Sequence, residues 1–331
     1  MRIGLAGTGR IGAFHADTLN RLDTVDSVVI ADIDAARAEA AASKLGVEFV
    51  PGIDELFAAG LDGVVIAAAT GAHQELIGRG VKAGIPVFCE KPVAPDIAGT
   101  LAVLNSIGDA PVQIGFQRRF DAGYANARSL LASGALGWLH TIRANTFDPA
   151  PPPAEYVKTS GGFFRDCSVH DFDILRWVTG REVAEVYTVG SNRGADFFRE
   201  ADDVDTMGAL LTLDDGSIAL VSGTRYNAAG YDVRMELLGS VDSISVGLDQ
   251  QLPLRSAEAG ITWPTGPAQP TFIERFRAAY EHELRAFTSV VAGEIASPCT
   301  VGDALEAFCV AEACELSRRE HRPVRIDEVR A

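Results

Sequence analysis

Residues 2–20, RIGLAGTGRIGAFHADTLN, decide how the first part of the chain folds. Residues 2–6 (RIGLA) are a short apolar run and read as a buried strand. The glycines Gly7, Gly9 and Gly12 of GTGRIG follow it directly. Residues 10–21 then read as a helix, with Ile11, Phe14, Leu19 and Leu22 available for packing. In a strand–loop–helix unit of this spacing, Gly7 makes the tight turn and Gly9 lets a pyrophosphate approach the backbone. Gly12 lets the helix pack close to the strand. A lone G-x-G-x-x-G is weak, but an acid completes this one. Asp32 stands at the end of a second strand, residues 27–31 (SVVIA), where a carboxylate accepts the ribose hydroxyls of NAD.

Outward from this unit, strand and helix patterns keep alternating. Residues 34–44 form a helix stopped by Gly46. Strands are predicted at 63–68, 85–89 and 112–116, with helices near 72–82 and 95–107 between them. That alternation specifies a doubly wound, parallel Rossmann sheet, an α/β fold covered on both faces. After about residue 120 the pattern changes. A helix is predicted at 121–133, a strand at 138–147, and a loop at 148–153 because DPAPPP fits neither helix nor central strand. A helix at 162–179 precedes strands near 183–191, 205–213, 217–224, 231–239 and 242–247. Asp214–Asp215–Gly216 marks a hairpin between two of them. Helices at 271–292 and 302–319 close the chain. The expected organisation is therefore a dinucleotide-binding domain over 1–119 and a substrate-binding and oligomerisation α+β domain over 120–331, with a large open, mainly antiparallel sheet.

The bulk composition sets limits. With 331 residues, the chain can bury a sizeable core without staples. A net charge of −16 argues against a nucleic-acid partner, since phosphate binding needs clustered Lys and Arg. It does not exclude a dinucleotide, which helix N-termini and backbone amides hold. Five cysteines occur, none in a C-x-x-C pair, so the reading is buried free thiols in a reducing compartment. No leader and no apolar run long enough to span a bilayer is visible, which points to the cytoplasm and away from a membrane.

Three spacings supply candidate chemistry. Glu90–Lys91–Pro92 follows the strand IPVFC, and ligands bind at the carboxyl ends of parallel strands. A lysine there donates to a substrate hydroxyl or to the nicotinamide ribose, although alone it reads as a surface turn. Within GGFFRDCSVHDFDILRW, residues 161–177, Asp166 and His170 stand at i and i+4 and share a helix face. Removing hydride from a carbinol needs a group to take the hydroxyl proton. A histidine suits that task, and a carboxylate beside it stabilises its cation. On its own the pair reads rather as a surface ion pair or a helix-end contact. Thr159–Ser160–Gly161–Gly162 and the proline-rich loop put a flexible connection before this helix. No third ligand accompanies Asp166 and His170 at metal spacing, so no metal is expected.

Four segments together, GTGRIG (7–12), CEKP (89–92), IGFQRRFD (114–121) and GGFFRDCSVHDFDILRWVTG (161–180), resemble the glucose–fructose oxidoreductase/inositol dehydrogenase/MocA family. The resemblance covers nearly the whole chain, and SGGFFRDCSVHDFD is most similar to the inositol 2-dehydrogenase-like branch. It implies a catalytic set of Lys91, Asp166 and His170, with His170 the acid/base, Asp166 its support and Lys91 the holder of the reacting hydroxyl. It implies a cis bond at Lys91–Pro92. It also implies a homodimer or homotetramer built on the C-terminal sheet, and a polyol or sugar substrate.

The remaining candidates carry two readings each. Around the cofactor they are Arg10, Ile11, Thr70, His73 and Glu90, with His73 either near the nicotinamide or serving a helix end. Asp32 favours NAD, because a carboxylate repels the 2′-phosphate of NADP. Arg37 either turns toward such a phosphate, which keeps NADP open, or is a solvated helix charge. Around the substrate, Tyr231 is a hydroxyl ligand or a packed tyrosine. Asp148 is a polyol acceptor or a turn former. Gln117 and Arg118 line the cleft, while Arg119 is a structural ion-pair partner. Oxidation of an aldose and reduction of a keto-sugar use the same three catalytic groups. A non-catalytic NAD-binding regulator remains the reading of a different class, though it has no chemical reason to keep all three.

Overall fold

The computed structural model describes residues 1–330 and divides into two compact units. The first comprises Met1–Gln117 and Ala278–Leu305, and the second comprises Arg118–Arg277 with the chain from Glu306 onward.

In the first unit, β1 (Arg2–Ala6), α1 (Arg10–Arg21), β2 (Ser27–Ala31), α2 (Ala35–Leu45), β3 (Glu48–Phe49) and α3 (Ile53–Phe57) come first. They are followed by β4 (Gly63–Ile66), α4 (Thr70–Ala83), β5 (Val87–Glu90), α5 (Ile97–Ile107) and β6 (Val112–Gly115). The six strands form one parallel sheet in the order β3-β2-β1-β4-β5-β6. Near-continuous apolar runs suit such a sheet because helices cover both faces, and Ile3, Leu5, Val29, Val64, Val65, Ile66 and Val87 are all sealed from solvent. The Asp34 side chain caps α2 by accepting from Arg37 N at 3.1 Å. Gly46 ends it in the left-handed region, φ 68°, as its position predicted. The two-residue β3 is too short to show a period and escaped the sequence reading.

The second unit begins with a 3₁₀ turn (Gln117–Phe120, whose first residue closes the first unit), α6 (Ala122–Ala132), β7 (Leu139–Phe147), α7 (Ala154–Val157) and a π-turn (Phe164–Ser168). It continues through α8 (Val169–Thr179), β8 (Val183–Ser191), α9 (Phe197–Glu200), β9 (Thr206–Leu213), β10 (Ile218–Thr224), β11 (Asp232–Gly239) and β12 (Ser243–Val246). After α10 (Phe272–Val291) and α11 (Val301–Glu320), β13 (Val324–Arg325) closes the sheet. The seven strands run β12-β11-β7-β10-β9-β8-β13. All neighbours are antiparallel except β7 and β10, which are parallel. The β9–β10 hairpin turns at Gly216, φ 84°, where Asp215 accepts from both the amide and the hydroxyl of Ser217.

Two expectations need correction. The helix read as 162–179 opens as a π-turn and becomes α-helical only at Val169. The segment 278–305, assigned by the sequence to the second domain, packs in the first unit. Leu284, Phe287 and Val290 join Ile3, Leu5 and Phe88 in one core cluster. Gln113 Nε2 also donates to Glu283 O at 3.1 Å, and Ile114 N to Cys299 O at 2.9 Å. A helix binds whichever core matches its apolar face, and sequence order does not encode that choice. All five cysteines are buried free thiols. No helix among the described residues is long and apolar enough to cross a membrane.

Candidate active site

The turn between β1 and α1 is built by sterics. Gly7 takes φ 96° and lies so near Ala68 that an added Cβ would come within 2.6 Å of its backbone. A Cβ on Gly12 would stand 1.8 Å from Gly7 O, so only glycine lets α1 start this close to β1. Gly9 is different: nothing lies within 4 Å of where its Cβ would be. It is also the N-cap of α1, with no side-chain cap on the helix. An uncapped helix start beside open space is what a pyrophosphate requires. Arg10 is exposed here, and Ile11 is partly buried.

Asp32 is buried just after β2. Its Oδ2 accepts from Thr8 N (2.6 Å) and Thr8 Oγ1 (2.9 Å), and its Oδ1 from Asp34 N (2.9 Å) and Arg37 Nη2 (2.6 Å). Burial pushes this carboxyl up, but the bonds from Arg37, Thr8 and Asp34 outweigh it and hold it at about 2. Arg37 is thus the ion-pair partner of Asp32, not a merely solvated helix charge. The residues present fit a dinucleotide: a glycine cradle, a free helix start and an ionised acid after the second strand.

Lys91 follows β5, is partly buried, and is joined to Pro92 by a cis bond, as the resemblance implied. Buried histidines contact the chain on both sides of it. His15 Nε2, from α1, lies 2.6 Å from Glu90 Oε1, with the rings of Phe14, Phe88 and Tyr280 around it. His73, in the first turn of α4, sets Nδ1 2.7 Å from Pro92 O and Nε2 3.0 Å from Ala68 O. Both nitrogens of His73 therefore face backbone carbonyls, and the ring ties the segment after β4 to the segment after β5. Thr70 opens α4 and is partly exposed. Gln117 is buried.

In the second unit, Asp166 lies in the π-turn and His170 in the first turn of α8, both partly buried. Asp166 Oδ1 accepts from Tyr156 Oη at 2.7 Å, and its Oδ2 from Arg225 Nη2 at 2.8 Å. Arg225 also reaches Asp148 Oδ2 with Nη1, at 2.6 Å. Burial pushes the Asp148 carboxyl up, against the pull of Arg225. Tyr231 is buried one residue before β11, edge-on to Phe272, and burial raises its hydroxyl well above the ordinary value. Arg118 is not a cleft residue: it is sealed in, donating to Asp171 Oδ1 (2.6 Å) and Thr146 Oγ1 (2.9 Å). Arg119 pairs with buried Asp173 at 2.6 Å, as its structural reading supposed.

The sequence reading missed His15, Tyr156 and Arg225. Tyr156 and Arg225 are 10 and 59 residues from Asp166, and His15 is 75 from Glu90, so no local spacing marks them.

A parallel sheet in this strand order, with a glycine turn at the start of α1 and an ionised acid after β2, defines a pyridine-nucleotide oxidoreductase of the Rossmann class. The family models agree. Residues 1–115 match the oxidoreductase family with an NAD-binding Rossmann fold, and residues 124–245 match the GFO/IDH/MocA C-terminal domain. The chain belongs to the Gfo/Idh/MocA oxidoreductase family. It is 36% identical to a myo-inositol dehydrogenase of Streptomyces leeuwenhoekii, over 96% of this chain and 97% of that one. It is 33% identical to the myo-inositol 2-dehydrogenase of Thermotoga maritima, over 99% of both. The crystal structure of scyllo-inositol dehydrogenase from Lactobacillus casei, with bound NAD(H) and scyllo-inositol, superposes with a TM-score of 0.88, at 30% identity over 99% of both chains.

Proposed function

We propose that this enzyme is an NAD-dependent cyclitol dehydrogenase that oxidises one ring secondary hydroxyl, with an inositol as substrate. The observation that carries the reading is the Asp166 carboxylate, held by two donors one helical turn before His170. Near-full-length similarity to three proteins named for inositol oxidation supports the cyclitol class. His170 takes the hydroxyl proton, and ionised Asp166 stabilises the imidazolium that forms. The Lys91 ammonium stabilises charge on the reacting oxygen as the carbonyl develops. Bound nicotinamide supplies the acceptor for the hydride. Gly7, Gly9, Gly12 and Asp32 hold that cofactor, with Arg10, Ile11, Thr70 and Glu90 around it. Tyr231, Gln117 and Asp148 contact the polyol. The Asp32–Arg37 pair favours NAD, because a 2′-phosphate would meet an ionised carboxylate.

The first unit then serves the cofactor, and the second serves substrate and assembly. The five buried thiols accord with a cytoplasmic enzyme. The face of the second sheet that exposes Tyr187, Val189, Leu210, Ile218 and Leu220 is the surface for a homodimer or homotetramer.

The test is NADH formation on myo-inositol, scyllo-inositol and a panel of aldoses, repeated with NADP. Inositol turnover with NAD is expected. Lys91→Ala and His170→Ala should each lower kcat by at least about 100-fold while NADH affinity stays within about threefold. Turnover on aldoses alone would move the substrate class. Near wild-type turnover in both variants would remove the mechanism. NAD binding without turnover on any substrate would favour a regulator.

A further inference from the structure

β7 and β10 are the one parallel pair in the second sheet, and their register sets Phe147 beside Thr224. Each strand then ends in a charged residue, Asp148 after β7 and Arg225 after β10. The neighbouring backbones hold both in place, with Asp148 N donating to Thr224 O at 2.8 Å and Arg225 N to Asp205 O at 2.8 Å. The Arg225 side chain is only 9% exposed. Its guanidinium lies over the Phe163 ring, 4.7 Å from the centroid, and its Nε is buried with no hydrogen-bond partner among the described residues. Burying a guanidinium and leaving one N–H unsatisfied is costly. The return is two charge-assisted bonds, one to Asp148 and one to Asp166, made through the two Nη atoms.

One cation held between two carboxylates leaves the trio one negative charge in excess when both acids are ionised. That is the sign that favours a cation forming on His170, one helical turn from Asp166. Other ionisable groups surround the trio. Tyr156 bonds to Asp166, Cys167 follows it in the π-turn, and Arg118, Asp171, Asp203 and Tyr231 contribute from the elements around it. Of these, Arg118 is already paired with Asp171, and Asp203 accepts from Phe163 N and Val204 N. Arg225 touches both Asp148 and Asp166 directly. Asp148 takes the Arg225 bond on Oδ2, and its Oδ1 has no hydrogen-bond partner among the described residues.

We propose that Arg225 is a positioning residue for the oxidation: it binds Asp148 and Asp166 into one rigid carboxylate pair, keeps Asp166 ionised and oriented toward its work on His170, and leaves Asp148 Oδ1 to accept a substrate hydroxyl. The proposal rests on the catalytic reading of Asp166 and His170. Arg225 is not itself a catalytic group.

The experiment compares wild type, Arg225→Lys, Arg225→Met, Asp166→Asn and His170→Ala in the full-length enzyme. It measures NADH affinity by fluorescence, and kcat and KM for inositol oxidation across the pH range of activity. Arg225→Met is expected to lower kcat/KM by about 100-fold at unchanged NADH affinity. It should also move the acid limb of the profile to higher pH, because Asp166 without the Arg225 charge beside it takes a proton more readily. Arg225→Lys, which keeps the charge but not both bonds, should fall between, with a raised KM for inositol. If Arg225→Met does not fold, Arg225→Lys decides the matter on the same limb and KM. A wild-type limb and KM in the folded variant, with Asp166→Asn and His170→Ala inactive, overturns the role of Arg225 alone. Active Asp166→Asn and His170→Ala overturn the catalytic reading and this proposal with it.

Discussion

Asp32 accepts four hydrogen bonds, and those bonds make its ionisation a matter of stability as well as of the proposed cofactor preference. Its carboxyl is held at about 2, against 3.8 ordinarily. A depressed folded-state value means that the ionised group stabilises the fold above the ordinary value, and that this contribution is lost as pH falls from about 3.8 toward about 2. Asp32→Asn should therefore melt below wild type at neutral pH, and the gap should narrow across that acid window. A gap independent of pH would show that the bonds to Arg37 and Thr8 do not depend on charge. The same substitution should raise activity with NADP relative to NAD, since it removes the repelling carboxylate. At this scale the sequence was a good guide where a motif surrounded the residue. Gly7, Gly12 and Asp32 were legible because their partners lie on the adjoining strand and helix. Arg225 was not, since its two carboxylates reach it through the parallel pairing of β7 with β10 and through the π-turn.

At the scale of elements, periodicity recovered the sheet strands of both units apart from β3 and β13, which are two residues each. It did not place α10. The segment from Ala278 reads as an ordinary amphipathic helix, and only packing shows which core it completes. Phe287 is fully buried against Phe88 at 5.8 Å between ring centroids. Phe287→Ala should cost about 3–5 kcal/mol, read as a lowered urea midpoint. A loss under about 1 kcal/mol would mean that the helix does not complete the first core. The helix carrying His170 is fastened differently. Asp171 and Asp173 flank the histidine by one and three residues, and both are buried in ion pairs with Arg118 and Arg119. Removing one partner of such a pair, as in Arg119→Met, should cost about 3–5 kcal/mol by leaving the buried Asp173 carboxylate without its Arg119 bonds. A melting temperature equal to wild type would contradict that.

For the whole molecule, the exposed face of the second sheet bears on assembly. Tyr187, Leu210 and Leu220 are cross-strand neighbours on β8, β9 and β10, and each is 40–45% exposed. A row of large apolar side chains left in water is unusual for a monomer and apt for a self-complementary interface. Wild type should sediment as a dimer or tetramer, and Leu210→Glu with Leu220→Glu should shift it to monomer without loss of secondary structure. A monomeric wild type would remove this reading of the sheet.

The sequence by itself determined the class of fold and singled out the chemical groups on which the proposed function rests. Both depend on short-range rules: the alternation of strand and helix, glycines where a Cβ would collide, and residues one helical turn apart. Only the tertiary structure decided that residues 278–305 belong to the first core, that Arg37 pairs with Asp32, and that Arg225 joins Asp148 to Asp166. Those are choices among partners. A side chain carries its charge and shape in the sequence, but which opposite charge or apolar face it meets is settled only when the strands pair and water is excluded.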